Sequence, residues 1–284
     1  MREDTGGFRM LCDVTWHGYA SGGMPESHPP ALAGVWAKMR RAKAHQLTLT
    51  AATEAYVNLP PYRIIETYTD DRKILRAVAT LQPPEDLALI LGDLVQNLRS
   101  ALDHLAWAFA RTVRDPPSRR THFPMFDSPP DDFAGERQVR HIPAPVREIM
   151  EAMQPYRTDD EVGQMIGREL AVLRELSNRD KHRVLLLAEN LVWPKHVFSN
   201  TPEGTDSEVR FDIDRENGQW AEISHPLDRK HGPYTPHFEV EVTIIEPGLP
   251  WRSGLDGIAH ALYEETSMAI GAFRSQWPLL EAHE

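Results

Sequence analysis

Leu87, Ile90, Leu91, Leu94, Leu98, Ala101, Leu105 and Phe109 recur at intervals of three and four residues. That spacing places them on one face of a helix. Pro83-Pro84-Glu85-Asp86 opens the run, and proline and carboxylates suit a helix's first turn. Asp115-Pro116-Pro117 closes it. The pattern predicts one continuous helix over Leu87–Arg111, roughly 37 Å long, with Leu94, Leu98, Ala101 and Leu105 buried. An apolar face of that length must be covered, so the rest of the chain is expected to pack around it.

The remaining segments supply that cover. Residues 1–30 hold many Gly, Pro, Ser and His without periodicity and read as a loose N-terminal arm. Ala31–Tyr56 is rich in Ala, Leu, Lys, Arg and Met and reads as a helix. Tyr62–Tyr68 and Lys73–Leu81 flank Thr69-Asp70-Asp71-Arg72 and read as a β-hairpin. Residues 115–145 are proline-rich, with Phe123-Pro124-Met125-Phe126 expected to plug the core from a loop. Helices are expected over Pro145–Met153, Gln164–Asp180 and about Gly254–Trp277. Strands are expected over Val184–Ala188, Glu208–Ile213, Gln219–Ile223 and His237–Ile245, with a turn at Glu216-Asn217-Gly218. The fold class is therefore α+β: a helical core of one long central helix and three or four others, with antiparallel strands, β-rich in the last third. The expected organisation is the arm 1–30, a helical core 31–190 carrying the hairpin, and 191–284, where strands and a C-terminal helix pack on the core.

Composition removes several classes of function. The chain of 284 residues carries 42 acidic and 31 basic side chains, a net charge of −11. A whole-protein positive field for nucleic acid is absent, although a local basic groove is compatible with this balance. The single cysteine, Cys12, forbids an intrachain disulfide and any Cys-based zinc site. The longest apolar runs, Leu87–Leu91 and Val184–Ala188, fall far short of the roughly 20 residues that span a bilayer. The N-terminus lacks the apolar stretch of a secretory signal, so a cytoplasmic location without membrane contact is expected. Gly-rich phosphate loops, G-x-S-x-G, H-E-x-x-H and the dinucleotide fingerprint do not occur, so no cofactor and no metal are expected.

Chemistry-bearing residues gather in two segments. On the long helix, Asp93, Asn97, Ser100, His104 and Trp107 step by four and three and share a polar stripe. The stripe is either a solvated face, with an Arg99–Asp103 pair one turn apart, or the wall of a polar site. The second segment is Ser177-Asn178-Arg179-Asp180-Lys181-His182-Arg183, where a helix should end. It is either a cationic terminus suited to the helix dipole, or it turns Asp180 and His182 inward toward His104 or Arg99. Asp180 lies four residues after Leu176 on the apolar side, so burial and a charged partner are expected for it. His225, His231 and His237, with Asp228 between them, read as solvated loop residues rather than metal ligands.

From about Lys38 to Ala188 the chain resembles a family of bacterial and phage-encoded proteins without an assigned activity. The resemblance rests on Gly92-Asp93-Leu94-Val95-Gln96-Asn97-Leu98-Arg99-Ser100-Ala101-Leu102-Asp103-His104-Leu105-Ala106-Trp107. Further support comes from Phe123-Pro124-Met125-Phe126, Gln154-Pro155-Tyr156 and Leu176-Ser177-Asn178-Arg179-Asp180-Lys181-His182-Arg183. Members of that family often have His where this chain has Gln96. More loosely, Arg99…His104 resembles the R-x4-H helix motif of HEPN ribonucleases, helical toxin and defence enzymes that cut RNA without metal. Those enzymes usually place Asn, Asp or His after the arginine, where this chain has Ser100. The HEPN resemblance implies RNA as substrate, a homodimer that unites two such helices and, for toxin types, a neutralising protein partner.

Three functional readings follow. In a metal-independent endoribonuclease, His104 exchanges the proton, Arg99 clamps the phosphate, and Asp103 or Asp180 orients the imidazole, beside His182. Asn97, Ser100, Lys181 and Arg183 would then contact substrate. In a binding or regulatory module, the same polar groups fix helix packing without catalysis. In a metal-assisted hydrolase, Asp93, Asp103, His104, Asp180 and His182 would share a divalent ion. The distance from the His104 ring to the Asp180–His182 segment discriminates among them.

Overall fold

The computed structural model describes residues 28–59, 62–70, 72–79, 83–157, 161–182, 188–195, 208–214, 218–226, 237–244 and 254–282. The fold is α+β with antiparallel strands. In chain order the elements are α1 (Ala33–Val57), β1 (Tyr62–Tyr68), β2 (Arg72–Ala79) and α2 (Glu85–Arg111). They continue with α3 (Ala144–Ala152), α4 (Glu161–His182), β3 (Ala188–Lys195), β4 (Glu208–Asp214), β5 (Gly218–Pro226), β6 (His237–Ile244), α5 (Leu255–Gly271) and the single turn α6 (Pro278–Glu281). The expected C-terminal helix thus ends as α-helix at Gly271; a 3₁₀ turn follows at Arg274–Gln276, and α-helix resumes at Pro278, a residue suited to a first turn. The expected strand Val184–Ala188 lies outside the described residues except at Ala188, where β3 begins.

Two compact units divide the contacts, and each takes chain from both sides of residue 190. The first comprises 1–46, 91–184 and 259–284; the second comprises 47–90 and 185–258.

The first unit is built on the apolar stripe of α2. Leu91, Leu94, Val95, Leu98, Ala101, Leu102, Leu105 and Phe109 are all fully buried. Phe273 touches the rings of Phe109 at 5.9 Å and Phe123 at 6.3 Å, the second edge-on. Of the plug anticipated at 123–126, Phe123 is sealed into this core and Pro124 and Met125 are buried, while Phe126 is half-buried. α1 and α5 run antiparallel: Lys43 lies over the Tyr263 ring and Gln46 reaches His260 at 3.3 Å. α4 meets the turn after α3 at Gly167, where a Cβ would stand 2.8 Å from the Gln154 carbonyl.

In the second unit, a four-stranded sheet has the order β1-β2-β5-β4, and β3 pairs with β6. β1 and β2 form the hairpin predicted from their polar break, with Glu66 opposite Leu75 and the Thr69 N–H donating to the Arg72 carbonyl. β4 and β5 pair with Asp214 opposite Gly218, the register required by a short turn. Leu75 on the central strand β2 is buried, while the described residues of the edge strand β1 are exposed. His225 and His237 fall in β5 and β6, and His231 and Asp228 lie outside the described residues.

Candidate functional site

A cleft of about 430 Å³ in the first unit is lined by Arg99 and Asp103 of α2 and by His122, Met125 and Phe126 of the loop after it. Gln138 and the α4 residues Arg174, Ser177, Asn178 and Lys181 complete the wall. The α4 residues are three and four apart, so their side chains share one helical face. On α2, Gln96, Arg99 and Asp103 form the matching row.

Backbone hydrogen bonds fix the loop. The Arg99 guanidinium donates to the Phe123 carbonyl at 2.8 Å and contacts the Met125 sulfur at 2.7 Å. Asp103 accepts the Phe123 N–H at 3.0 Å and pairs with Arg99 at 3.3 Å. Arg174 donates to the Met125 carbonyl at 3.2 Å and pairs with Asp127. Gln154, fully buried, accepts the Phe126 N–H and donates to the Pro124 and Met150 carbonyls, at 2.8–3.0 Å. Four side chains thus bond five backbone groups of Phe123-Pro124-Met125-Phe126, which helps an irregular segment sit against a core.

Charge is unevenly spread. Arg99, Arg174 and Lys181 line the cleft against one carboxylate, Asp103. Burial pulls the Arg99 guanidinium below its ordinary value, and the Asp103 charge opposes that shift. Burial also lowers the half-buried His122 imidazole from its ordinary 6.5; Asp103 opposes, while Arg99 and Lys181 add to the lowering. Burial thus favours the neutral form of His122. Ser177 is 1% exposed, and its hydroxyl has no hydrogen-bond partner among the described residues. The side-chain oxygen of Gln138 is likewise buried and unpartnered among them. Buried polar atoms without partners are uncommon, and two of them line this cleft.

The residues singled out from sequence are only partly brought together. Arg99, Asp103 and Lys181 meet in the cleft. His104 does not join them: five residues beyond Arg99, it is turned about 140° around the helix. Its exposed ring covers Gly34 of α1, where a Cβ would stand 2.5 Å from Nδ1. Asp180 is half-buried rather than buried, and its partner is an amide rather than a charge. Gln96 donates to Asp180 at 2.8 Å and to the Ser177 carbonyl at 3.1 Å. The Asp180 carboxylate rests on Gly92, about 18 Å along the α2 axis from His104. The reason for the correction is local: Gly92 leaves room for the carboxylate, and Gln96 supplies the donor.

His182 is exposed, and Arg183 lies outside the described residues. Asn97 donates back to the Asp93 carbonyl at 2.7 Å, and Ser100 is half-buried. Asp93 is exposed, 4.0 Å from His45 of α1. Trp107, at 37% exposure, completes a largely solvated stripe. Among the described residues no group of three or more His, Cys, Asp or Glu side chains could hold a metal ion.

His122, Gln138 and Arg174 were not singled out by the sequence patterns. Arg174 was accessible in principle: it lies one and two turns before Asn178 and Lys181 on the same helical face. His122 and Gln138 sit in irregular chain, where spacing carries no direction. Comparison with protein-family models, with curated proteins and with solved structures gave no match.

Proposed function

We propose that the chain is a binding module whose cleft receives an anion of the phosphate class. One observation carries this reading: a chain of net charge −11 gathers Arg99, Arg174 and Lys181 around one cavity, and with Asp103 paired to Arg99 and Asp127 to Arg174 the Lys181 charge is in excess. Arg99 and Arg174 are held by the loop, each beside its own carboxylate, while the exposed Lys181 is the cation left to touch a ligand. Titrating the purified protein with inorganic phosphate by calorimetry tests the reading. Saturable binding is expected, weakening with added salt. Lys181→Ala should weaken it about tenfold, the loss of one charged hydrogen bond of ~1.5 kcal/mol. No saturable heat, or an unchanged affinity in Lys181→Ala, overturns it.

A metal-independent endoribonuclease is the second reading, and the half-buried His122 in one cleft with Arg99 and Asp103 favours it. His122 would take the proton-transfer role expected of His104, with Arg99 and Lys181 at the phosphate. A site that needs Arg99 and His104 together requires a second copy of the chain, so the homodimer, the RNA substrate and a neutralising partner belong to this reading. RNA nicking in EDTA that is lost in His122→Ala supports it. Nicking lost in His104→Ala and retained in His122→Ala restores the R-x4-H version. With either activity we place the protein in the cytoplasm. Among the described residues no helix is long and apolar enough to cross a membrane. We also keep a β-rich last third as part of this proposal, and β4, β5 and β6 support it.

A further inference from the structure

We infer that the cleft takes a nucleoside phosphate: the phosphate at the Lys181 end and the base against Phe126. The inference rests on the anion reading above and adds the organic part of the ligand.

Size is the first argument. A volume of about 430 Å³ is in the range of sites for whole small molecules and far exceeds one phosphate group. The lining changes character along its length. Lys181, Ser177 and Arg174 occupy two turns of α4, about 10 Å of helix. Beyond Arg174, whose guanidinium is bound to the Met125 carbonyl, the wall continues as Met125 and Phe126.

Phe126 is a prepared surface. Its N–H is held by the buried Gln154, and its ring meets Phe133 edge-on at 5.9 Å. The side chain is nevertheless half-exposed. An aromatic ring fixed on its backbone and by a second ring, yet open on a cleft, suits stacking of a planar heterocycle. The carboxamides of Gln138 and Asn178 line the same cavity and offer donors and acceptors to a base edge. A sulfate or a simple carboxylate would satisfy the cations and leave the Phe126 end unused.

Calorimetric titration of the full chain with inorganic phosphate, the four ribonucleoside 5′-monophosphates and adenosine tests the inference. At least one monophosphate should bind about tenfold more tightly than inorganic phosphate, the gain from one stacked base. Phe126→Leu keeps an apolar side chain and removes the aromatic face. It should abolish that advantage while leaving the affinity for inorganic phosphate unchanged. Gln138→Ala, on an irregular segment, provides a second variant and should reduce the advantage alone. A 5′-phosphorylated oligoribonucleotide distinguishes two sources of the same chemistry. Tighter binding than the monophosphate assigns the site to an RNA end, and weaker binding assigns it to a free nucleotide. Monophosphates that bind no better than inorganic phosphate overturn the inference and leave the anion site standing. An advantage that survives in Phe126→Leu also overturns it. If neither phosphate nor any nucleotide binds, both readings fall.

Discussion

Gly92 and Asp180 are one feature written at two places in the chain. A Cβ on Gly92 would stand 2.5 Å from Asp180 Oδ1, so the carboxylate occupies the volume that any other residue at 92 would fill. Two effects then oppose each other. Alanine is favoured over glycine in a helix interior by about 1 kcal/mol. Displacing Asp180 loses the hydrogen bond from Gln96, also worth about 1 kcal/mol. Gly92→Ala should therefore be neutral or destabilising in the natural chain. In an Asp180→Ala background the same change should stabilise by about 1 kcal/mol. Asp180→Ala alone should cost about 1 kcal/mol, not the several expected of a broken buried ion pair. Urea denaturation of the two single variants and the double variant measures the coupling; additive effects would show that the contact is absent. Glycine at 92 is visible in the sequence, but its reason lies 88 positions away and could not be read there.

At the scale of elements, periodicity was informative wherever an element had one dry face. α2 begins two residues before the expected start and ends at the expected Arg111. Leu94, Leu98, Ala101 and Leu105 are all fully buried, as their spacing required. Leu98→Ala should thus cost about 2–5 kcal/mol in thermal or chemical unfolding, and a change below ~0.5 kcal/mol would mark the position as peripheral. The β1–β2 hairpin was legible for a similar reason, since a polar break between two β-branched runs leaves few alternatives. The cleft was legible only in part. Arg99 and Lys181 were found because each sits on a helix whose faces can be counted. His122 and Gln138 were not, because the loop that carries them is shaped by long-range bonds. Arg99, Asp103, Arg174 and Gln154 hold its backbone from 20 to 49 residues away. Within one chain Arg99 and His104 do not meet, as a matter of helix geometry. An R-x4-H spacing divides two side chains by about 140°, so on a single helix they address different neighbours.

On the scale of the whole molecule, the excess of carboxylates sets how stability responds to pH. With 42 acidic and 31 basic residues, some carboxylates must lie near others. Glu265 of α5 is such a case: it is half-buried, and one oxygen is buried without a hydrogen-bond partner among the described residues. Burial first, and then the nearby Glu169 charge, raise its pKa above the ordinary 4.5, while Arg168 opposes. The sign of the linkage follows. Below pH ~4.5 the carboxyl is protonated in both folded and unfolded chains, and ionisation costs nothing. As pH rises through 4.5, the unfolded chain ionises first and stability falls until the folded carboxyl also ionises. Above that point the loss is constant. Glu265→Gln removes the ionisation, so it should be more stable than the natural chain at pH 7. The gain should be below ~1 kcal/mol, because a half-exposed charge is screened by solvent. It should shrink toward zero as pH falls below about 4.5, the unfolded chain's value, and added salt at pH 7 should reduce it by screening Glu169. Urea midpoints at pH 4 and pH 7, at low and high salt, give these differences directly. A variant less stable than the natural chain at pH 7, or a gain of equal size at both pH values, would show that Glu265 makes a favourable contact as a charged group.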